Sequence, residues 1–165
     1  MTEAPGRRSS TERVRDYLTA HDLAGRLVTF EGSTKTARLA AAAVGCELGQ
    51  IVKSLVFVDA EGRALLVLVA GDRRGDGAAI AREMGARRVS LADADTVRSA
   101  TGYAIGGVSP FDLPGRLPVL VDDSFERFAE VYTAGGTPSS MVRLTIGQLM
   151  KVSGGQMAQV SQARP

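Results

Sequence analysis

Lys53 stands in the run Gln50-Ile51-Val52-Lys53-Ser54-Leu55-Val56-Phe57-Val58, which reads as a strand with both faces largely apolar. Ile51, Leu55 and Phe57 share its face, and Val52, Val56 and Val58 line the other, so either orientation sets an ammonium group among apolar neighbours. Two roles fit that pattern. The side chain lies near the strand's start and snorkels to water, or it is held at the floor of a cleft to engage an anion or a polarised carbonyl.

A second stretch, Gly102-Tyr103-Ala104-Ile105-Gly106-Gly107-Val108-Ser109-Pro110-Phe111, holds three glycines and a proline among apolar residues. Glycine in a strand or helix interior is destabilising, so the cluster implies a loop whose backbone passes close to something. Backbone N–H groups at Gly106, Gly107 and Val108 can converge on a carbonyl oxygen or a phosphate. A plain connection between a helix and a strand is the competing reading.

Other chemistries find little support in the composition. The single cysteine, Cys46, excludes an internal disulfide, and with one histidine, His21, there is no zinc-ligand set of usual spacing. His21 follows Leu18-Thr19-Ala20 at the frayed end of a surface helix, which weighs against a histidine-activated nucleophile. No metal and no cofactor is expected. The net charge of +2 permits nucleic acid without demanding it, and basic pairs such as Arg7-Arg8, Arg73-Arg74 and Arg87-Arg88 are equally well explained as solvated surface. Apolar runs are far too short to span a bilayer and the amino terminus has no apolar signal core, so a cytoplasmic protein without membrane partners is expected.

The elements that must position these residues follow from caps and periodicity. Ser9 and Glu12 have capping-box spacing, with Val14, Tyr17 and Leu18 on one face of a helix running to about His21. Residues 27–30 read as a short strand, and Thr34 or Thr36 caps an alanine-rich helix that ends near Gly45. The Lys53 strand and a second one over 64–70 flank the turn Asp59-Ala60-Glu61-Gly62, giving an antiparallel hairpin in the middle of a sheet. Helices are predicted over 78–84 and 93–100 with a short strand at 88–90 between them. Strands follow at 117–122, 130–134 and 141–144, with Ser124 capping a helical turn and Thr145 capping a helix over 146–152. The whole is an α+β fold, a mixed and mostly antiparallel sheet surrounded by helices. Residues 1–9 read as a disordered tail and 10–165 as one domain, in keeping with 165 residues of which 44% are hydrophobic.

Taken together, the chain resembles the YbaK and prolyl-tRNA synthetase-associated editing-domain family of aminoacyl-tRNA deacylases. The residues that carry the resemblance are Thr36-Ala37 opening the alanine-rich helix, Gly49-Gln50-Ile51-Val52-Lys53-Ser54-Leu55-Val56-Phe57, and Gly102-Tyr103 through Pro110-Phe111, in the family's order and spacing from about Leu27 to Gln159. The resemblance implies a trans-editing hydrolase that cuts the ester joining a wrong amino acid to the terminal adenosine of a tRNA, with Cys-tRNA(Pro) as the leading substrate. Its implied partners are mischarged tRNA and prolyl-tRNA synthetase, with no role for DNA. Catalytic work is implied at Lys53, Gly106 and Gly107. Substrate contacts are implied at Phe30, Thr36, Ser54, Tyr103, Val108, Ser109, Pro110, Gly135, Gly136 and Thr137, with water attacking with help from substrate groups.

The chain departs from the family at three places. Many members have glycine where Asp112 stands, and cysteinyl-tRNA(Pro) deacylases are expected to carry serine before the late glycine loop and an acidic residue beyond it. Here those places hold Ala134 and the uncharged Ser139-Ser140-Met141-Val142. The alternative is a non-catalytic module of the same fold that holds a nucleotide or a tRNA end.

Overall fold

The computed structural model describes residues 8–164. Among the described residues, five α-helices are placed by their caps. Ser9 and Glu12 form the reciprocal capping box of α1 (Ser10–Ala20), and Thr36 caps α2 (Ala37–Val44) through Leu39 N–H. Asp76 opens α3 (Gly77–Met84), Asp93 opens α4 (Ala94–Thr101), and Thr145 with Gln148 opens α5 (Ile146–Ser153). The tail expected over 1–9 lies outside the described residues for 1–7, but Arg8 and Ser9 belong to the fold. Ser9 is the α1 cap, and Arg8 pairs with Asp16 at 2.9 Å.

Among the described residues, ten strands form three sheets. In chain order they are β1 (Leu27–Thr29), β2 (Val52–Asp59), β3 (Ala64–Ala70), β4 (Arg73–Gly75), β5 (Val89–Leu91), β6 (Val119–Asp122), β7 (Glu130–Ala134), β8 (Ser140–Thr145), β9 (Gln156–Ala158) and β10 (Ser161–Ala163). The central sheet runs β5-β2-β3-β6-β9, antiparallel up to β3 and parallel from β3 through β9. A second, antiparallel sheet has the order β1-β8-β7, and β4 pairs with β10 alone. The α+β class, the mixed and mostly antiparallel pairing and the β2–β3 hairpin match the sequence reading, with the strands divided among separate sheets.

Strand β3 is buried on both faces, and its alternation divides the core. Leu65, Val67 and Val69 pack with Phe57, Ile80, Leu120 and Val160 on one side. Leu66, Leu68 and Ala70 pack with Val14, Leu18, Tyr103, Phe111 and Phe125 on the other.

Local departures have physical causes. The Lys53 strand begins at Val52, because Leu48–Gln50 forms a 3-10 turn closed by Glu47 and Gln50. Asp122, not Ser124, caps the 3-10 turn Asp123–Arg127, since its carboxylate accepts from Ser124 N–H. No helix among the described residues is long and apolar enough to cross a membrane.

Candidate functional site

The glycine loop connects α4 to β6 and is tied at both ends. Arg13 donates to the carbonyl oxygen of Thr101 at 3.4 Å and of Asp112 at 2.6 Å. Between those ends Tyr103, fully buried, donates its hydroxyl to Phe111 O at 2.6 Å. Ser109 Oγ donates to Ala134 O at 3.0 Å, which fastens the loop to the end of β7. Tyr103, Ser109 and Pro110, expected against substrate, are therefore buried residues that shape the loop from beneath.

The loop exposes the side chain of Ile105 and, at Gly106 and Gly107, bare backbone. Gly107 N–H donates to Ala104 O at 2.9 Å, closing a turn over 104–107, and Gly106 has a φ of 83°. That is the third place of a type II turn, which requires a left-handed backbone and hence favours glycine. The Gly107 N–H is thus engaged inside the loop and cannot bind a ligand as expected. Gly106 and Val108 N–H have no hydrogen-bond partner among the described residues.

Opposite lies the late loop, Gly135-Gly136-Thr137-Pro138. Gly136 O accepts from Thr11 Oγ1 at 2.9 Å, Thr137 Oγ1 lies 2.7 Å from Ser140 Oγ, and Pro138 O accepts from Thr34 N–H at 2.9 Å. Between the two glycine loops is a cavity of about 370 Å³ bordered by Thr34, Lys35, Gly106, Gly107, Gly136 and Thr137. Gly135 is buried in the hairpin and does not border it.

A second cavity, about 310 Å³, opens over the start of β2 and is lined by Thr36, Ile51, Lys53, Ser54, Gly106, Val108 and Met141 among others. Thr34, Lys35, Gly106 and Ala134 border both spaces, making one cleft. Phe30 does not line it. That ring packs against the Ala40, Ala41, Ile51 and Met141 cluster, which contributes the cleft's floor.

Strand β2 lends the cleft an open edge. Val56 O accepts from Ala92 N–H at 2.9 Å, so alternate residues turn their backbone groups toward the β5 side. Strand β5 covers only Phe57 to Asp59. Ser54 consequently presents its N–H and C=O on an uncovered stretch of edge.

Lys53 is half-buried, and its ammonium donates to the carbonyl oxygen of Arg73 on β4. Burial pushes its pKa down, the Arg164 charge adds to that, and Asp72 opposes it. Asp72 is itself held by both terminal guanidinium nitrogens of Arg127 at 2.9 Å, and that pairing keeps its carboxyl below the ordinary range. An ammonium group has three donors, so Lys53 keeps two beyond its bond to Arg73.

His21 caps the end of α1 on the surface, its ring stacked on Tyr17 with centroids 3.9 Å apart. Among the described residues no group of three or more His, Cys, Asp or Glu side chains is arranged to hold a metal ion. Sequence reasoning missed Thr34 and Lys35, which border both cavities from an exposed loop, and Arg13, whose anchoring role has no local signal.

The model of the aminoacyl-tRNA editing domain matches residues 31–152. The protein YwhH of Bacillus subtilis (strain 168) is 33% identical over 144 residues, 87% of this chain and 91% of that one. EbsC of Enterococcus faecalis, a candidate Cys-tRNA(Pro)/Cys-tRNA(Cys) deacylase, is 22% identical over 126 residues, 76% of this chain and 77% of that one. The crystal structure of a candidate trans-editing enzyme for prolyl-tRNA synthetase superposes with a TM-score of 0.82 at 39% identity, covering 98% of this chain and all of that one.

Proposed function

The chain belongs to the aminoacyl-tRNA editing domain family, and from that premise we propose that it is a trans-editing deacylase, one domain over 10–165, that hydrolyses mischarged tRNA with Cys-tRNA(Pro) as its leading substrate. The observation that carries the reading is the continuous cleft in which Gly106 and Val108 N–H, the open backbone edge of Ser54 and Lys53 meet. Free backbone donors of this kind suit an ester carbonyl whose oxygen gains negative charge in the transition state. EbsC supports the cysteinyl substrate by its own description, and the trans-editing neighbour supports prolyl-tRNA synthetase as a partner.

The reaction needs positioning more than a strong nucleophile, because an aminoacyl ester is already activated. Water oxygen bonds to the ester carbonyl carbon, the bond from that carbon to the ribose oxygen breaks, and the ribose oxygen leaves with a proton from the attacking water. The products are free amino acid and uncharged tRNA. Gly106 and Val108 N–H hold the carbonyl oxygen, Lys53 adds positive charge at the floor, and Thr36 and Thr137 border the space for the acyl-adenosine.

The test is release of labelled amino acid from tRNAs charged with Cys, Ala, Ser and Pro, comparing wild type with Lys53→Ala. Turnover of one ester by wild type, reduced by about a hundredfold to a thousandfold in the variant, is expected. Survival of every ester despite RNA binding would replace this reading with the non-catalytic module.

A further inference from the structure

Asp122 is the last residue of β6 and is completely buried, yet no cation touches it among the described residues. Four donors satisfy its carboxylate instead. Val160 N–H donates to Oδ1 at 2.9 Å, while Ser124 N–H at 3.1 Å, Ser124 Oγ and Ser161 Oγ at 2.7 Å donate to Oδ2. An isolated carboxylate in the interior is costly, so a fold that retains one needs those donors in place.

The chain of bonds does not stop at Ser161. Its Oγ also accepts from Arg73 Nε at 2.6 Å, and its carbonyl oxygen accepts from Arg73 Nη2 at 3.3 Å. Arg73 lies in β4, whose only strand partner among the described residues is β10, paired as Ser161 with Gly75 and Ala163 with Arg73. A two-stranded ribbon is marginal by itself, so its position depends on what fastens it to the rest of the molecule. Asp122 is one such fastening, alongside the bond from Asp76 N–H to Val160 O at 2.8 Å. At the other end, the carbonyl of the same Arg73 accepts the Lys53 ammonium.

Resting on the proposed role of Lys53, we infer that Asp122 and Ser161 are positioning residues for deacylation, acting through Arg73 to fix the carbonyl that orients the Lys53 ammonium at the cleft floor. Neither touches the substrate. Their effect passes through one backbone oxygen, so it should appear in the chemical step more than in substrate binding.

The experiment uses the full chain and Ser161→Ala, with Ser161→Thr as the conservative variant and Asp122→Asn as the second site. Two readouts are taken. One is kcat and KM on the charged tRNA that the wild type turns over. The other is the NMR titration of the lysine side chains, which is simple because the chain has only Lys35, Lys53 and Lys151. The groups facing Lys53 are Asp72 and Arg164, and neither is altered in these variants.

In Ser161→Ala, kcat should fall about tenfold with KM within about twofold, the order expected when a catalytic group is slightly misplaced. The Lys53 signal should move and its titration midpoint should shift from the wild-type value, because the carbonyl bonded to the charged form is displaced. Ser161→Thr, which keeps the hydroxyl, should restore both, and Asp122→Asn should reproduce the loss. An unmoved Lys53 signal with unchanged kcat in folded Ser161→Ala would overturn the inference, as would equal losses in the Ala and Thr variants. Full activity of Lys53→Ala would instead remove the catalytic role on which the inference rests, and the lysine titration separates the two failures.

Discussion

The guanidinium of Arg13 lies 4.1 Å above the ring of Tyr103 while bonding to the backbone on both sides of the glycine loop. A cation stacked on an aromatic face and partly desolvated is attracted by the ring. Here the same group also satisfies two carbonyl oxygens, so α1 and the loop are joined through one side chain. The late loop rests on the same helix through Thr11 and Gly136. Both walls of the cleft therefore take their position from α1.

Replacing Arg13 with Ala should consequently affect the site more than its distance from the cleft suggests. We expect a loss of about 1–3 kcal/mol of stability from the cation–π contact and the unpaired carbonyls. Deacylation should fall together with it at temperatures where the variant is still folded. Thermal unfolding and kcat/KM measured on the same preparation check this, and unchanged turnover in the folded variant would show that the loop holds its shape without α1.

Asp112 clarifies the departure from glycine at this place. Its φ is 56°, a left-handed backbone that glycine adopts freely and aspartate tolerates. The carboxylate meets Arg13 at 3.3 Å and Arg8 at 3.5 Å, both partly in solvent. Asp112→Gly should therefore keep the loop's conformation and change stability by no more than about 1 kcal/mol, the range of exposed ion pairs. Denaturant titration measures it, and a much larger loss would mean that the carboxylate is essential to closing the loop.

Gly106→Ala separates backbone geometry from packing. An added Cβ would meet nothing within 4 Å, so crowding is not the issue. The positive φ is, at about 1–2 kcal/mol for a residue with a side chain. The loop can relieve that strain by turning its peptide planes, which would move the Gly106 and Val108 donors. Activity should thus drop by more than tenfold while the melting temperature falls by no more than about 2–8 °C. Retained activity would exclude these donors from the reaction.

The most legible parts of this molecule were those written locally. Ser9 with Glu12 and Thr145 with Gln148 specify helix starts within four residues, and the apolar runs of β2 and β3 leave little choice of structure. Strand β4 was not legible. Arg73-Arg74-Gly75 has no strand pattern, and its extended form is imposed by pairing with a segment 88 residues away. The same separation hides the bonds from Asp122 through Ser161 to Arg73. Within the glycine loop, sequence pointed to exposed backbone but could not say that the Gly107 N–H is taken by Ala104.

Gly71 illustrates a glycine required by close approach. Its N–H donates to Ile51 O at 2.8 Å, and an added Cβ would stand 2.4 Å from Leu48 O, a backbone atom that cannot turn aside. Gly71→Ala should cost about 1–3 kcal/mol or more through overpacking and should disturb the segment leading into Lys53. Equilibrium unfolding checks the first part. Wild-type stability would show that the 3-10 turn over Leu48–Gln50 moves more freely than its packing implies.

Lys53 gives the pH prediction. Burial first, and Arg164 second, lower its pKa in the folded protein. Between that lowered value and the ordinary lysine value, the unfolded chain binds more protons than the folded one, so this group's contribution to stability rises with pH through that window. Below the window the charged side chain costs stability, because it is charged in both states and less well solvated in the fold. The stability difference between wild type and Lys53→Met should therefore shift in favour of wild type as pH rises through it. Where the charged form is the active one, kcat should begin to fall at a pH below that of an ordinary lysine, after subtraction of the ester's own alkaline hydrolysis. A wild-type stability curve parallel to that of Lys53→Met throughout would mean that Lys53 titrates alike in both states, leaving its charge fully solvated and its place at the cleft floor unsupported.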